Sequence, residues 1–385
     1  MNLALKICVL FVLYTNTIFG DEIDSLRAVL KKTNFNDTSR ISLQLAIGEM
    51  EGVYRLSFWD SLKVECENKL NSAKPNEKLF YQKNLAVIIN DLGFVADEQG
   101  NSTKALEAYK KALTLFEQLE DKKAIARAFN NIGSVYDNLG DLSLAIDYYY
   151  KSLNIREVIK DTSGLASCHN NIGYLYFKQK NYKKALENYK KASDYAKLEN
   201  NLYRYAIIMG NFGLTYSTMK DHDKALNYYM EAKKIYDTYN YPLNQSQNIS
   251  NIAAIYKKQG KLQLALSMYK HSLHIMDSLD YKQGQAVVYS SISSIYLTLG
   301  DIKKAQVNAE TGMKLAKELG YPKEISNCGL ILVDVYQKNG NFKDAFFTYV
   351  RSKNLADSLN NDDLRRETLQ KIFNTTMTKK WWPIV

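Results

Sequence analysis

The chain repeats itself every forty residues, without an insertion, over seven units. Tyr136, Tyr176, Tyr216, Tyr256, Tyr296 and Tyr336 fall in one column of that register. Ala105, Ala145, Ala185, Ala225, Ala265, Ala305 and Ala345 form a second. Tyr109, Tyr149, Tyr189, Tyr229, Tyr269 and Tyr349 form a third, interrupted by Ala309. Gly93, Gly133, Gly173 and Gly213 form a fourth, continued by Ala253 and Ser293. A period of this length is too short for an independent core. One unit alone leaves an apolar face wet, and only stacking on its neighbours covers it.

Within a unit the spacing predicts two helices. Ile125, Ala128, Phe129, Ile132, Val135, Tyr136 and Leu139 follow the three-and-four rhythm of an amphipathic helix. Gly140 can take the left-handed position that ends it, and Asp141 can cap the next helix. That second helix carries Ala145, Tyr148, Tyr149, Ser152, Ile155 and Ile159 before a polar turn, Lys160 to Thr162. Two helices of about sixteen residues with two short turns account for the period. Gly133 and Ala145 are expected where helix backbones approach closely, with Tyr136 and Tyr149 filling the space beside them.

The segments NNIGSVYDNLGDLSLAIDYYYKSLNIR and NNIGYLYFKQKNYKKALENYKKA resemble tetratricopeptide repeats. The resemblance rests on Gly133 or Gly173, Tyr136 or Tyr176, Ala145 or Ala185, Tyr149 or Tyr189, and Ser152 or Ala192, and it covers residues 81–360. The forty-residue unit is similar to the longer-helix variety of that repeat. It implies an all-α fold, a right-handed superhelical solenoid of helix-turn-helix repeats, with a non-enzymatic protein- or peptide-binding role. Such a scaffold hosts many roles. The layout also resembles the extracytoplasmic repeat region of Bacteroidetes sensor and regulator proteins. This implies the sensory part of a signal-transduction system; a structural scaffold or assembly protein of a cell-envelope complex is the alternative.

The ends depart from the columns. Residues 1–20 hold a short apolar run, Leu3 to Tyr14, with Lys6 near its start and the acidic stretch DEID just after it. That is the layout of a cleaved secretory signal, with cleavage expected after Gly20 and a periplasmic or secreted product. Residues 21–80 read as a helical cap or degenerate repeat. Ile23 to Leu30 is a short helix in this reading, Ile41 to Met50 and Tyr54 to Leu70 a helix pair, and Trp59 a core residue. Residues 361–385 read as a polar helix carrying Arg365, Arg366 and Lys371, followed by Lys379, Lys380 and a WWPIV tail. The paired tryptophans beside lysines suit either proximity to a membrane interface or packing on the last repeat.

Composition narrows the function classes. Lys and Arg number 51 against 41 Asp and Glu, a net charge of +10 spread along the repeats, so no nucleic-acid footprint is expected. Gly and Pro number 18 and 4, too few for long disordered linkers. Removal of the leader leaves Cys66, Cys168 and Cys328, far apart and odd in number, which read as buried small hydrophobes. Of the four histidines, His169, His222, His271 and His274, the last two stand three apart on a second helix, close enough for a metal pair, but read as ordinary surface residues. HExxH, GxSxG, Walker and Rossmann patterns are missing from the sequence, so neither an enzyme nor a cofactor is expected. The lysine pairs 110–111, 183–184 and 190–191 read as solvated outer face.

The resemblance places a binding groove on the concave face, lined by the first helix of each unit. Asn131, Asn171, Asn211 and Asn251 recur there, two residues before the small column, with Asn130 and Asn170 beside them. An amide both donates and accepts, so it can hold an extended peptide backbone of any sequence. The same amides can instead bond to neighbouring helices and stabilise stacking. Arg127 alone stands at a carboxylate-clamp position, its equivalents being Ser167, Ile207 and Gln247. Tyr174, Phe177 and Leu214 give the middle units an apolar, aromatic character that suits an apolar peptide or a protein helix.

Overall fold

The computed structural model describes residues 26–28, 30, 37–50 and 56–358, and these contain helices and turns but no strand. Helices α1 (Asp37–Met50) and α2 (Leu56–Ser72) precede the long α3 (Pro75–Glu98). Then follow α4 (Ser102–Gln118), α5 (Lys122–Asn138), α6 (Leu142–Val158) and α7 (Thr162–Lys178). Next come α8 (Tyr182–Leu198), α9 (Leu202–Thr218), α10 (His222–Thr238) and α11 (Pro242–Lys258). The series ends with α12 (Leu262–Ser278), α13 (Lys282–Thr298), α14 (Ile302–Glu318), α15 (Pro322–Lys338) and α16 (342–358). The expected leader, the polar C-terminal helix and the WWPIV tail lie outside the described residues, as does half of the short helix expected over Ile23 to Leu30. No helix among the described residues is long and apolar enough to cross a membrane.

From α4 to α15 every helix has seventeen residues, and three-residue turns join them. The turns have one construction. A residue with positive φ stands at every multiple of twenty from Gly100 to Gly340. At the end of α5, the Gly140 N–H donates to the Asp137 carbonyl at 3.0 Å and the Asp141 N–H to the Tyr136 carbonyl at 2.9 Å. That pair of bonds is the Schellman closure, satisfying carbonyls that a helix end leaves orphaned. The Asp141 side chain then accepts from the Leu144 N–H at 3.0 Å, capping α6. One residue thus closes one helix and opens the next. Tyr241, Tyr281 and Tyr321 stand at this position without a side-chain cap, and Pro242 and Pro322 follow two of them at the first helical position, where the missing N–H costs nothing.

The chain divides into two compact units, residues 1–164 and 165–385, with α7 beginning in the first and continuing in the second. In the first unit Trp59 is buried against Ile41, Leu62, Cys66 and Tyr81, so α1 and α2 form the expected helix pair on the first repeat. The second unit holds two larger apolar clusters. One gathers Tyr189, Ala192, Met209, Phe212 and Tyr236; the other gathers Tyr269, Met276, Ile292, Ile295 and Val335.

The columns are size-matched. A methyl added at Gly133 would lie 2.8 Å from the Tyr149 ring, and one at Gly173 would lie 2.7 Å from Tyr189. Glycine is therefore the residue that lets a tyrosine lie across the first helix. Tyr136 is half-buried and stacks on Tyr148 with ring centroids 5.5 Å apart. At two junctions a glycine near the start of a first helix faces a side chain of the preceding second helix. Arg156 faces Gly164, and Met276 faces Gly284. The Arg156 guanidinium is buried, donating to Asp161 Oδ2 at 2.7 Å and to Ser152 Oγ at 3.0 Å. Ser152 Oγ in turn donates to the Ala126 carbonyl at 2.6 Å.

Candidate functional site

The proposed contact residues all lie on first helices, divided between the two units. In the first unit, α5 carries Arg127, Asn130 and Asn131, each half-buried. The Arg127 guanidinium lies over the Phe116 ring, 5.9 Å from its centroid. Asn131 Nδ2 donates to Asn90 Oδ1 on α3 at 3.2 Å, and Asn90 Nδ2 donates to Asp91 at 3.1 Å.

In the second unit, Asn211 on α9 repeats the same bond, donating from Nδ2 to Asn170 Oδ1 on α7 at 2.8 Å. Asn170 in turn reaches Asn171 at 3.5 Å. The amides are thus rungs between successive first helices; Asn90 is buried, while Asn131, Asn170 and Asn211 are half-buried. Tyr174 and Phe177 stack at 5.9 Å with their rings 19° apart, and Lys178 caps the Tyr174 face at 4.9 Å. Leu214 is half-buried on α9 and Asn251 is exposed on α11.

Two groups on this face escape the sequence reading. Asn90 supplies the first rung; the forty-residue register shows it as the start of the Asn130 and Asn170 column. Lys257 on α11 donates from Nζ to Ser294 Oγ on α13 at 2.9 Å. Burial holds its ammonium below the usual lysine range. Only its lysine identity in a column of mixed residues marks it in the sequence.

Cys66, Cys168 and Cys328 are fully buried thiols outside any disulfide, and burial pushes the Cys66 and Cys328 thiols up to about 11. His169 is buried: its ring stacks on Tyr195 and its Nδ1 lies 3.0 Å from Asn188 Oδ1. It occupies the core position that Ile89, Phe129 and Met209 fill in other repeats. Asn188 Nδ2 is committed to the Lys184 carbonyl, so its Oδ1 faces the ring and Nδ1 carries the proton. His271 and His274 are exposed as expected. Among the described residues no group of three or more His, Cys, Asp or Glu could hold a metal ion.

Equal helices joined through shared caps, each tyrosine lying on a glycine of its partner, define the helix-hairpin repeat proteins. The chain belongs to the tetratricopeptide-repeat family, whose sequence profile matches residues 84–157, 164–238 and 244–318, more than half of the chain. Among curated proteins no sequence matches. Solved structures share the fold. A Rap protein complexed with Competence and Sporulation Factor is 16% identical at TM-score 0.63, with 94% of this chain and 99% of that one covered. The apo quorum sensor NprR from B. thuringiensis is 16% identical at TM-score 0.63, with 87% and 92% covered. The Rap conjugation gene regulator of plasmid pLS20, in complex with the Phr* peptide, is 13% identical at TM-score 0.59, with 89% and 96% covered.

Proposed function

We propose that the first-helix face binds an extended, largely uncharged peptide segment of a protein partner. The observation that carries this reading is the make-up of that face in the second unit. Ser167, Asn170, Asn171, Tyr174, Ile207, Asn211, Leu214, Gln247, Asn251 and Ala254 are all uncharged, with Lys178 and Lys257 the cations described beside them, while the second helices carry lysine pairs. Half-exposed amides hold main chain irrespective of sequence, and the Tyr174–Phe177 shelf offers apolar area beside them. Peptide capture by two proteins of the same fold, the Rap complexes with Competence and Sporulation Factor and with Phr*, supports the reading by analogy.

In this proposal the chain is exported through its N-terminal leader and acts as the sensory part of a signalling system outside the cytoplasm. The test compares pull-downs from periplasmic extract by the wild type and by Asn171→Ala with Asn211→Ala. Partners lost from the double variant, with its helical circular dichroism intact, support the amide row. An identical partner set overturns it. N-terminal sequencing of the exported product, expected to begin at Asp21, tests the location.

A further inference from the structure

Two amide rungs share one geometry, and one further asparagine of the row faces a position that cannot complete it. Asn131 donates to Asn90 and Asn211 donates to Asn170, in both cases to the residue forty-one positions earlier. The next rung would join Asn251 to position 210, which is glycine. Asn251 is exposed and, among the described residues, its side chain makes no hydrogen bond.

Gly210 has no packing reason to be glycine. A methyl added at Gly93, Gly133, Gly173 or Gly213 would meet a tyrosine ring within 3 Å, whereas one at Gly210 would meet nothing within 4 Å. Its φ is not positive either. Glycine inside a helix is less stable than alanine, so the position bears a cost that the fold does not recover. What glycine offers in open space is close approach of another backbone. The side-chain amide missing from position 210 is also the partner that Asn251 lacks.

We propose that Gly210 and Asn251 together seat one main-chain peptide group of an extended ligand. The ligand's carbonyl takes the Asn251 Nδ2–H bond that Asn90 and Asn170 accept in the two complete rungs. The ligand backbone crosses α9 directly over Gly210. Ile207 and Leu214, one turn to either side, meet its flanking side chains. This seat rests on the peptide-binding reading and locates where the ligand backbone comes nearest to the protein.

The decisive variant is Gly210→Asn, which rebuilds the rung by giving Asn251 an internal acceptor. The probe is a linear peptide selected on the wild-type chain from a phage-displayed random library, with affinity read by fluorescence polarisation. Gly210→Asn and Asn251→Ala are each expected to weaken binding about tenfold or more. The urea midpoint of Gly210→Asn should match or exceed that of the wild type. Wild-type affinity in Gly210→Asn, or amide protection by the peptide that leaves 207–214 unaffected, overturns the seat alone. If the library enriches nothing on the wild type, the peptide-binding reading falls and the seat with it. Should Gly210→Asn fail to fold, Gly210→Ala decides, because it adds a single methyl into space that is empty without ligand. Weakened binding supports the seat and unchanged binding overturns it.

Discussion

Replacing Arg156 by methionine tests the size-matched pairing at the α6–α7 turn. The Arg156 and Asp161 side chains are 9% and 8% exposed, so the pair belongs to the buried class rather than the screened surface class. Removing one partner of such a pair costs about 3–5 kcal/mol, because a charge is left buried without its counterion. Methionine itself fits, since Met276 faces Gly284 in the equivalent space. The cost of Arg156→Met is therefore assigned to the stranded Asp161 carboxylate. Adding Asp161→Asn removes that charge while keeping a side chain able to cap α7, so the double variant should return to within about 1 kcal/mol of the wild type. Repeat arrays lose two-state behaviour, so the readout is local opening by amide hydrogen exchange across residues 150–170, supported by the urea midpoint. The reasoning fails if Arg156→Met costs less than about 1 kcal/mol, or if the two substitutions simply add.

Three further outcomes follow from the same geometry. Lys180 and Lys220 hold left-handed φ of 60° and 65°; glycine at either should raise stability by about 1 kcal/mol in urea titrations, and a loss would contradict the shared-turn description. Cys66, Cys168 and Cys328 should resist iodoacetamide at pH 8 until denaturant is added, and mass spectrometry of alkylated peptides reads this directly. Tyr109, Tyr189, Tyr229 and Tyr236 have phenols raised above the usual range by burial, with nearby charges as lesser causes for some. Because the folded values are the higher ones, their contribution is whole below about pH 10 and is lost as pH rises beyond it. Ultraviolet phenolate titration should therefore show these rings ionising together with unfolding, not before it.

The period made the helices, the Gly133–Tyr149 type of contact and the Gly140–Asp141 turn legible before any coordinates. The finer twenty-residue rhythm was hidden because its left-handed residues include Glu120, Lys160, Lys180 and Lys220. Those residues show no intrinsic preference for that conformation, so only the bonds from their own N–H and the following one reveal it. His169 shows how a column can outweigh a polar type. Ile89, Phe129 and Met209 mark that position as core, and Asn188 supplies the partner that lets an imidazole stay there. For the asparagines, recurrence identified the row but not its bonds. Whether an amide faces a neighbour or a ligand depends on how closely the next helix approaches. Gly210 shows this best, as a residue that matters through the bond its absence leaves open.

The shared turn has a consequence for how such a chain can change length. Each junction uses a single residue as the end of one helix and the beginning of another, so there is no slack in which to lose or gain an amino acid. Adding one residue at Asp141 would separate the two duties and leave either a carbonyl of α5 or an N–H of α6 unanswered. Excising twenty would restore the turn but set a first helix where a second belongs, bringing glycine columns against one another. Forty is the smallest cut that rejoins like with like. Removing residues 281–320 should accordingly give a shorter folded chain, while nearby deletions of thirty-nine or forty-one should not. The molecule can be lengthened or shortened, but only in whole steps of its own ruler.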